Sequence, residues 1–228
     1  MAGKSVLVIA AHPDDEVIGA GGTIAAHAAA GDSVYIAILT EGASVQFPGD
    51  VGKVALKKRQ AEEVAELLGA RELFTADFPD QRLDVTPQLE VNRFVEAVAR
   101  KVNPNLIYTH HFAELNADHR VAYEAAAVAA RPFSLPSFER LLCYAVDTLT
   151  HAGHAAPRFN YYSDITETLE LKLRAMQVYE TELRDYPHPR SLEALRHAAV
   201  SCGAAVGLRA AEAFESVLEV RRGQSENF

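Results

Sequence analysis

Three short, unbroken apolar runs constrain this chain most: Val6 to Ala10, Ser33 to Thr40 and Asn105 to Thr109. They are rich in β-branched residues and lack the two-residue alternation of a half-exposed strand, so they read as strands buried on both faces. Such strands belong to parallel sheets, and parallel neighbours need long crossover connections, usually helices. The sequence supplies them. Val17 to Ala30 is small and apolar, and Gly31-Asp32 stops it. Lys53 to Gly69 carries Val54, Ala61, Val64, Ala65 and Leu68 on one face. Pro87 to Val102 repeats that pattern, with Pro87 suited to a first helical turn. With a short strand at Glu72 to Ala76, the order is β, α, β, α, β, α, β. The expected architecture is α/β: a three-layer sandwich with a mainly parallel, Rossmann-like central sheet and helices on both faces.

The second half is read as a helix over His119 to Ala130, a strand over Leu141 to Val146 and a helix over Thr166 to Arg184. A final long helix runs from Ser191 to Val206. Tyr161 to Ile165 carries no clear pattern, and His151 to Phe159 and Tyr186 to Arg190 read as loops. No linker or repeat divides the chain, so residues 1–222 are expected to form one domain, with 223–228 a disordered tail. A net charge of −9 argues against nucleic acid, which needs a basic footprint, and against anionic membrane surfaces. No apolar run approaches the ~20 residues of a membrane span. There is no basic-then-apolar leader. Cys143 and Cys202 lack metal-knuckle spacing and read as buried thiols of a reducing compartment. Together these point to the cytoplasm.

The chemistry sits where the first strand ends. Ala11-His12-Pro13-Asp14-Asp15-Glu16 places an imidazole and adjacent carboxylates at a strand terminus, where α/β proteins bind ligands. His12 and Asp15 lie within one turn, and imidazole with carboxylate suits a borderline divalent metal such as Zn2+. Asp14 faces elsewhere on such a turn. A free carboxylate beside the water that a metal would activate is what a general base requires. Asn116-Ala117-Asp118-His119-Arg120 follows the strand Asn105 to Thr109 and should end on the same sheet edge. It offers His119 as third ligand and Asp118 to orient an imidazole. His110 reads as a strand-end residue facing the core or a neighbour, and His111 as site wall or surface.

These two clusters resemble the PIG-L/LmbE family of zinc-dependent deacetylases, which remove N-acyl groups from amino sugars and their conjugates. Arg59-Gln60-Ala61-Glu62-Glu63, Pro79-Asp80-Gln81-Arg82-Leu83 and Pro187-His188-Pro189-Arg190-Ser191 extend the resemblance over almost the whole chain. It implies His12, Asp15 and His119 as zinc ligands (Fe2+ suits the same set) and Asp14 as general base. Some members carry a second histidine three residues before the ligand histidine, where this chain has Asn116. An amide can donate to an oxyanion but cannot shuttle a proton. The leaving amine's proton would then come from Asp14, His188 or His111. Arg59 and Arg190 are the expected sugar-binding side chains, with His111 and His188 beside them. The implied partner is a small amino-sugar substrate, and the family often assembles as homo-oligomers. Three other readings remain: a zinc amidase acting on a non-sugar amide such as a thiol conjugate, a non-catalytic metal-binding protein, and a nucleotide-binding module suggested by Gly19-Ala20-Gly21-Gly22. The last fails on glycine spacing and on carboxylates where phosphates would sit.

Overall fold

The computed structural model describes residues 3–146 and 156–223. Residues 151–155 of the loop expected over His151 to Phe159, and 224–228 of the expected tail 223–228, lie outside the described residues. The apolar runs form five parallel strands: β1 (Ser5–Ala10), β2 (Ser33–Thr40), β3 (Glu72–Phe78), β4 (Leu106–His110) and β5 (Arg140–Tyr144). Between them run α1 (Asp15–Ala29), α2 (Val51–Leu67), α3 (Gln88–Val102) and α4 (Ala117–Ala129). Strand side chains alternate between two cores, as a period of two requires. Val6, Val8 and Ala10 pack with Val17, Ala20 and Ile24 of α1 and Val64 of α2. Leu7 and Ile9 pack with Val91 and Val95 of α3 and Ala122 and Ala126 of α4. This is the expected three-layer sandwich.

The C-terminal third completes it with β6 (Tyr161–Asp164), α5 (Leu169–Val178), α6 (Leu192–Ala204) and β7 (Ala211–Glu219). The sheet order is β3-β2-β1-β4-β5-β7-β6, and β7 runs antiparallel to both neighbours. The reading of Ser191 to Val206 as the last element missed β7, whose charged residues break any apolar run. The helix expected over Thr166 to Arg184 stops at Val178. Tyr179 leaves helical geometry and turns its hydroxyl onto Glu16, 2.6 Å away.

Glu212 of β7 reaches into the middle of α1. Its carboxylate accepts from the backbone N–H of Gly22 (3.0 Å) and Thr23 (2.8 Å). Lys172 of α5 donates both to Glu212 (2.5 Å) and to the carbonyl of Ile18 (2.8 Å). An ion pair thus serves both ends of one i→i−4 position in the helix. Gly19 lets α1 approach the sheet: a Cβ there would lie 2.3 Å from the Tyr144 ring. Cys143 is buried, Cys202 is half-buried, and both are free thiols. Among the described residues, no helix is long and apolar enough to cross a membrane.

Strand β1 has β2 on one side and β4 on the other. The crossovers therefore depart in opposite directions at its C-terminal end, and a crevice opens there. The residues that follow β1 and β4 meet in it.

Candidate metal centre

The turn leaving β1 is built around Asp14, which precedes α1 with φ of 120°, a backbone conformation costly for any residue but glycine. Its neighbours hold it there. The carbonyl of Asp14 accepts from Val17 and Ile18 N–H at 3.0 and 2.9 Å. Its own N–H donates to the Glu16 carboxylate at 3.1 Å. Gly42, in the loop after β2, packs so closely on Pro13 that a Cβ would lie 2.3 Å from the proline ring.

The strained turn brings His12 Nδ1 within 3.0 Å of Asp15 Oδ2. His119, in the first turn of α4, contributes Nε2 at 3.3 Å from His12 Nδ1 and 3.4 Å from Asp15 Oδ2. A tetrahedral ion bound at about 2.0–2.1 Å has edges of about 3.3–3.4 Å between its ligand atoms. The three atoms therefore outline one face of such a tetrahedron, and the donor set of two imidazoles and one carboxylate fits a divalent cation. The far nitrogens are engaged by carboxylates: His12 Nε2 lies 3.1 Å from Asp118 Oδ2, and His119 Nδ1 lies 3.3 Å from Glu114 Oε2. Such contacts fix which nitrogen would face a bound ion. His110 closes the back wall. Its Nε2 accepts from Ala11 N–H at 3.0 Å, and its ring stacks on His119 at 4.0 Å.

Burial alone would lower the pKa of His12, but the Asp15 and Asp118 carboxylates overturn that and carry it up to about 10. For His119 burial is likewise outweighed, by Asp15 and Glu114, and its pKa rises to about 9. Burial would raise Asp15, but His119, His110 and His12 hold it well below the usual range. The cluster thus demands positive charge at its centre, as protons or as a cation. Burial, reinforced by the Asp15 charge, pushes Asp14 up to about 7. Its Oδ2 is buried with no hydrogen-bond partner among the described residues. Arg190 Nη1 stands 3.6 Å away.

The structure assembles the other expected site residues unevenly. Asp118 reaches His12 and also accepts from Leu83 N–H at 2.9 Å, tying the Pro79-to-Leu83 loop to the cluster. Gln81 and Asp80 of that loop approach His12 Nε2 at 3.1 and 3.5 Å. Asn116 caps α4: its side-chain oxygen accepts from Asp118 N–H at 2.9 Å. His111 is fully buried. Its Nε2 meets Glu215 of β7 at 3.0 Å and its Nδ1 accepts from Ala113 N–H, so it braces strands and presents no surface to a ligand. His188 is exposed and accepts from Arg190 N–H. Arg59 is exposed on the outer side of α2. Lys57, two residues earlier and so on the opposite side of the helix, points inward to Glu182. Sequence reasoning overlooked Glu114, Lys57 and Glu182. For Glu114 the signal was a carboxylate between the strand end and His119. For the buried pair, separated by 125 residues, there was none.

A profile of the PIG-L family, described as GlcNAc-PI de-N-acetylase, matches residues 7–130, more than half of the chain. Diacetylchitobiose deacetylase of Thermococcus kodakarensis is 33% identical over 196 residues, covering 78% of this chain and 70% of that protein. The solved N,N'-diacetylchitobiose deacetylase of Pyrococcus horikoshii superposes with a TM-score of 0.75 at 27% identity, over 94% of this chain and 84% of its own. The 4-carboxy-2-hydroxymuconate hydratase of Pseudomonas putida shares the fold with a TM-score of 0.77 at 23% identity, over 97% of this chain and all of its own.

Proposed function

The chain belongs to the PIG-L family, and on that footing we propose that it is a metal-dependent deacetylase that hydrolyses the N-acetyl group of a GlcNAc-like amino sugar or its conjugate. The observation that carries the proposal is the triangle of His12 Nδ1, Asp15 Oδ2 and His119 Nε2 with a separate buried carboxylate, Asp14, next to it in the chain. We assign the triangle to Zn2+, since two imidazoles and one carboxylate with open positions is a catalytic rather than structural zinc pattern; Fe2+ suits the same face.

A cation held by His12, Asp15 and His119 would supply polarisation of the amide carbonyl and a water acidic enough to attack near neutral pH. Asp14 would receive the proton that this water gives up: its Oδ2 is buried with no hydrogen-bond partner among the described residues, so a lone pair is open for the transfer. Asp118 and Glu114 keep His12 and His119 aimed. Arg190, its side chain 37% exposed, faces both Asp14 and the opening, where its donors meet sugar hydroxyls. With His111 buried and His188 exposed, Asp14 is the group placed to return the proton to the departing amine. The products are acetate and the free amine.

The fold alone does not choose this reaction, because a hydratase shares it. Diacetylchitobiose deacetylase aligns over 78% of this chain at 33% identity, whereas 4-oxalmesaconate hydratase of Pseudomonas putida aligns over 55% at 32%; the longer match, with the buried carboxylate of Asp14, favours amide hydrolysis. The test is acetate release from N-acetylglucosamine, diacetylchitobiose and peptide-like N-acetyl amides, with and without a chelator. Chelator-sensitive release from the sugars supports the proposal. Release from peptide-like amides alone, or from nothing, refutes it.

A further inference from the structure

Beside the metal triangle lies a second group of buried charges, which the reaction above leaves unused. Lys57 of α2 and Glu182 of the turn after α5 are each 2% exposed and form an ion pair. Burying two charges is costly unless the geometry repays it, and a hydrophobic pair would fill the same space. Glu182 has further contacts. Its Oε2 accepts from Arg190 Nη1 at 2.7 Å and from Gln46 Nε2 at 3.1 Å. One carboxylate thus serves two cations, Lys57 and Arg190. The same Nη1 lies 3.6 Å from Asp14 Oδ2, close enough for attraction but outside hydrogen-bond range. Tyr179, three residues before Glu182, anchors Glu16, which in turn holds the Asp14 backbone. Two side chains three residues apart therefore converge on Asp14, one through its backbone and one through Arg190.

We propose that Glu182, fixed by Lys57, is a positioning residue for the hydrolysis: it tethers Arg190 so that the guanidinium stands beside Asp14 without bonding to it. Held at that distance, Arg190 steadies the orientation of the carboxylate and leaves its lone pairs for the water proton. Released, Nη1 would close on Asp14 in a charge-assisted hydrogen bond, and the base would be occupied. The inference rests on the reading of Asp14 as the base.

The test compares Glu182→Gln, Arg190→Met and the double variant in acetate release, with zinc content and thermal midpoint measured alongside. Glu182→Gln should lower kcat at least tenfold with zinc content unchanged. Adding Arg190→Met should bring no further fall in kcat, because the group that occupies Asp14 is gone; KM should rise. A merely structural Glu182 would lower the thermal midpoint and leave the two effects multiplying. That multiplication, or a kcat within twofold of wild type for Glu182→Gln, overturns the inference. Should Glu182→Gln fail to fold, Lys57→Met/Glu182→Gln removes both buried charges and is judged by the same criteria. Should the wild type release no acetate, the proposed function fails, and the tether is judged alone by NMR. The Arg190 guanidinium protons, assigned by their loss in Arg190→Met, should be protected in wild type and exchange at least tenfold faster in Glu182→Gln. Equal exchange overturns the inference.

Discussion

Replacing Asp118 with Asn isolates the support of a metal ligand from the ligand itself. Asp118 is buried, and each of its oxygens has one task. Oδ2 lies 3.1 Å from His12 Nε2, while Oδ1 accepts from Leu83 N–H at 2.9 Å. Asparagine keeps the shape and can keep the Leu83 bond, so the loop stays in place while His12 Nε2 loses its anionic acceptor and faces an amide NH2 instead. Asp118 lies on the far side of the imidazole from the triangle, so the ion loses no ligand. Removing the partner of a metal-ligating histidine typically lowers affinity 10–100-fold, which is about 1.4–2.7 kcal/mol. The assay is a competition titration of metal-free protein and zinc against a chelator of known affinity at fixed pH. Glu114→Gln, removing the longer 3.3 Å contact on His119, should fall at or below the lower end of that range. An unchanged zinc affinity for Asp118→Asn would refute the reasoning. So would complete loss of zinc with the fold intact, because Asp118 would then have to be a ligand.

Asp14→Asn should retain zinc and lose at least a hundredfold in kcat; wild-type rates would exclude Asp14 as the base. The same variant has a pH signature in metal-free protein. A carboxyl held at about 7 against an ordinary 3.8 favours its protonated form in the folded state. Wild type therefore loses stability relative to Asp14→Asn as pH rises from about 4 to about 7, and the deficit levels off above that at ~4 kcal/mol at most. Urea denaturation at pH 5 and pH 8 measures it, and an equal gap at both pH values contradicts the assignment. Gly19→Ala drives a methyl into the Tyr144 ring and should cost about 1–3 kcal/mol or more in urea denaturation; an unchanged midpoint would show that α1 can shift. Arg59→Ala, on the solvent side of α2, should leave kcat/KM within twofold, and a tenfold loss would restore Arg59 to the sugar-binding surface.

The parts of the site legible in the sequence are those whose placement follows from a strand end. His12, Asp14 and Asp15 ride on the turn after β1. His119 rides on the helix after β4, and parallel pairing of β1 with β4 puts both on one edge. Asp118 followed because a residue beside a ligand is within reach of its neighbours. A one-face reading of α2 does not say which polar residue turns inward: Arg59 is exposed, and Lys57 is buried against Glu182. The inward turn of Glu182 was hidden in an amphipathic pattern that continues past Val178 while the chain leaves the helix. Strand β7 was missed because its partners are supplied from far away in the sequence and its Glu212 is spent inside α1. Local pattern reports what a segment can bury, and these residues bury charge against charge.

The place of β7 has a consequence for how the protein is made. Among the described residues, the strand latest in sequence is not at the edge of the sheet: β7 lies between β5 and β6. Strand β6 leaves the ribosome with no neighbour to pair with, and Asp164 precedes Ala211 by 47 residues. At roughly 5–20 residues per second, β5 waits several seconds for the strand that will cover its open side. A nascent chain can complete the five parallel strands, and with them the turn that carries His12 and the helix that carries His119. The Glu212 carboxylate that settles into α1 arrives only with β7. Ribosome-bound chains stalled before residue 211 should therefore expose a bare sheet edge to chaperones, and pairing of β7 with β5 is the event that seals it.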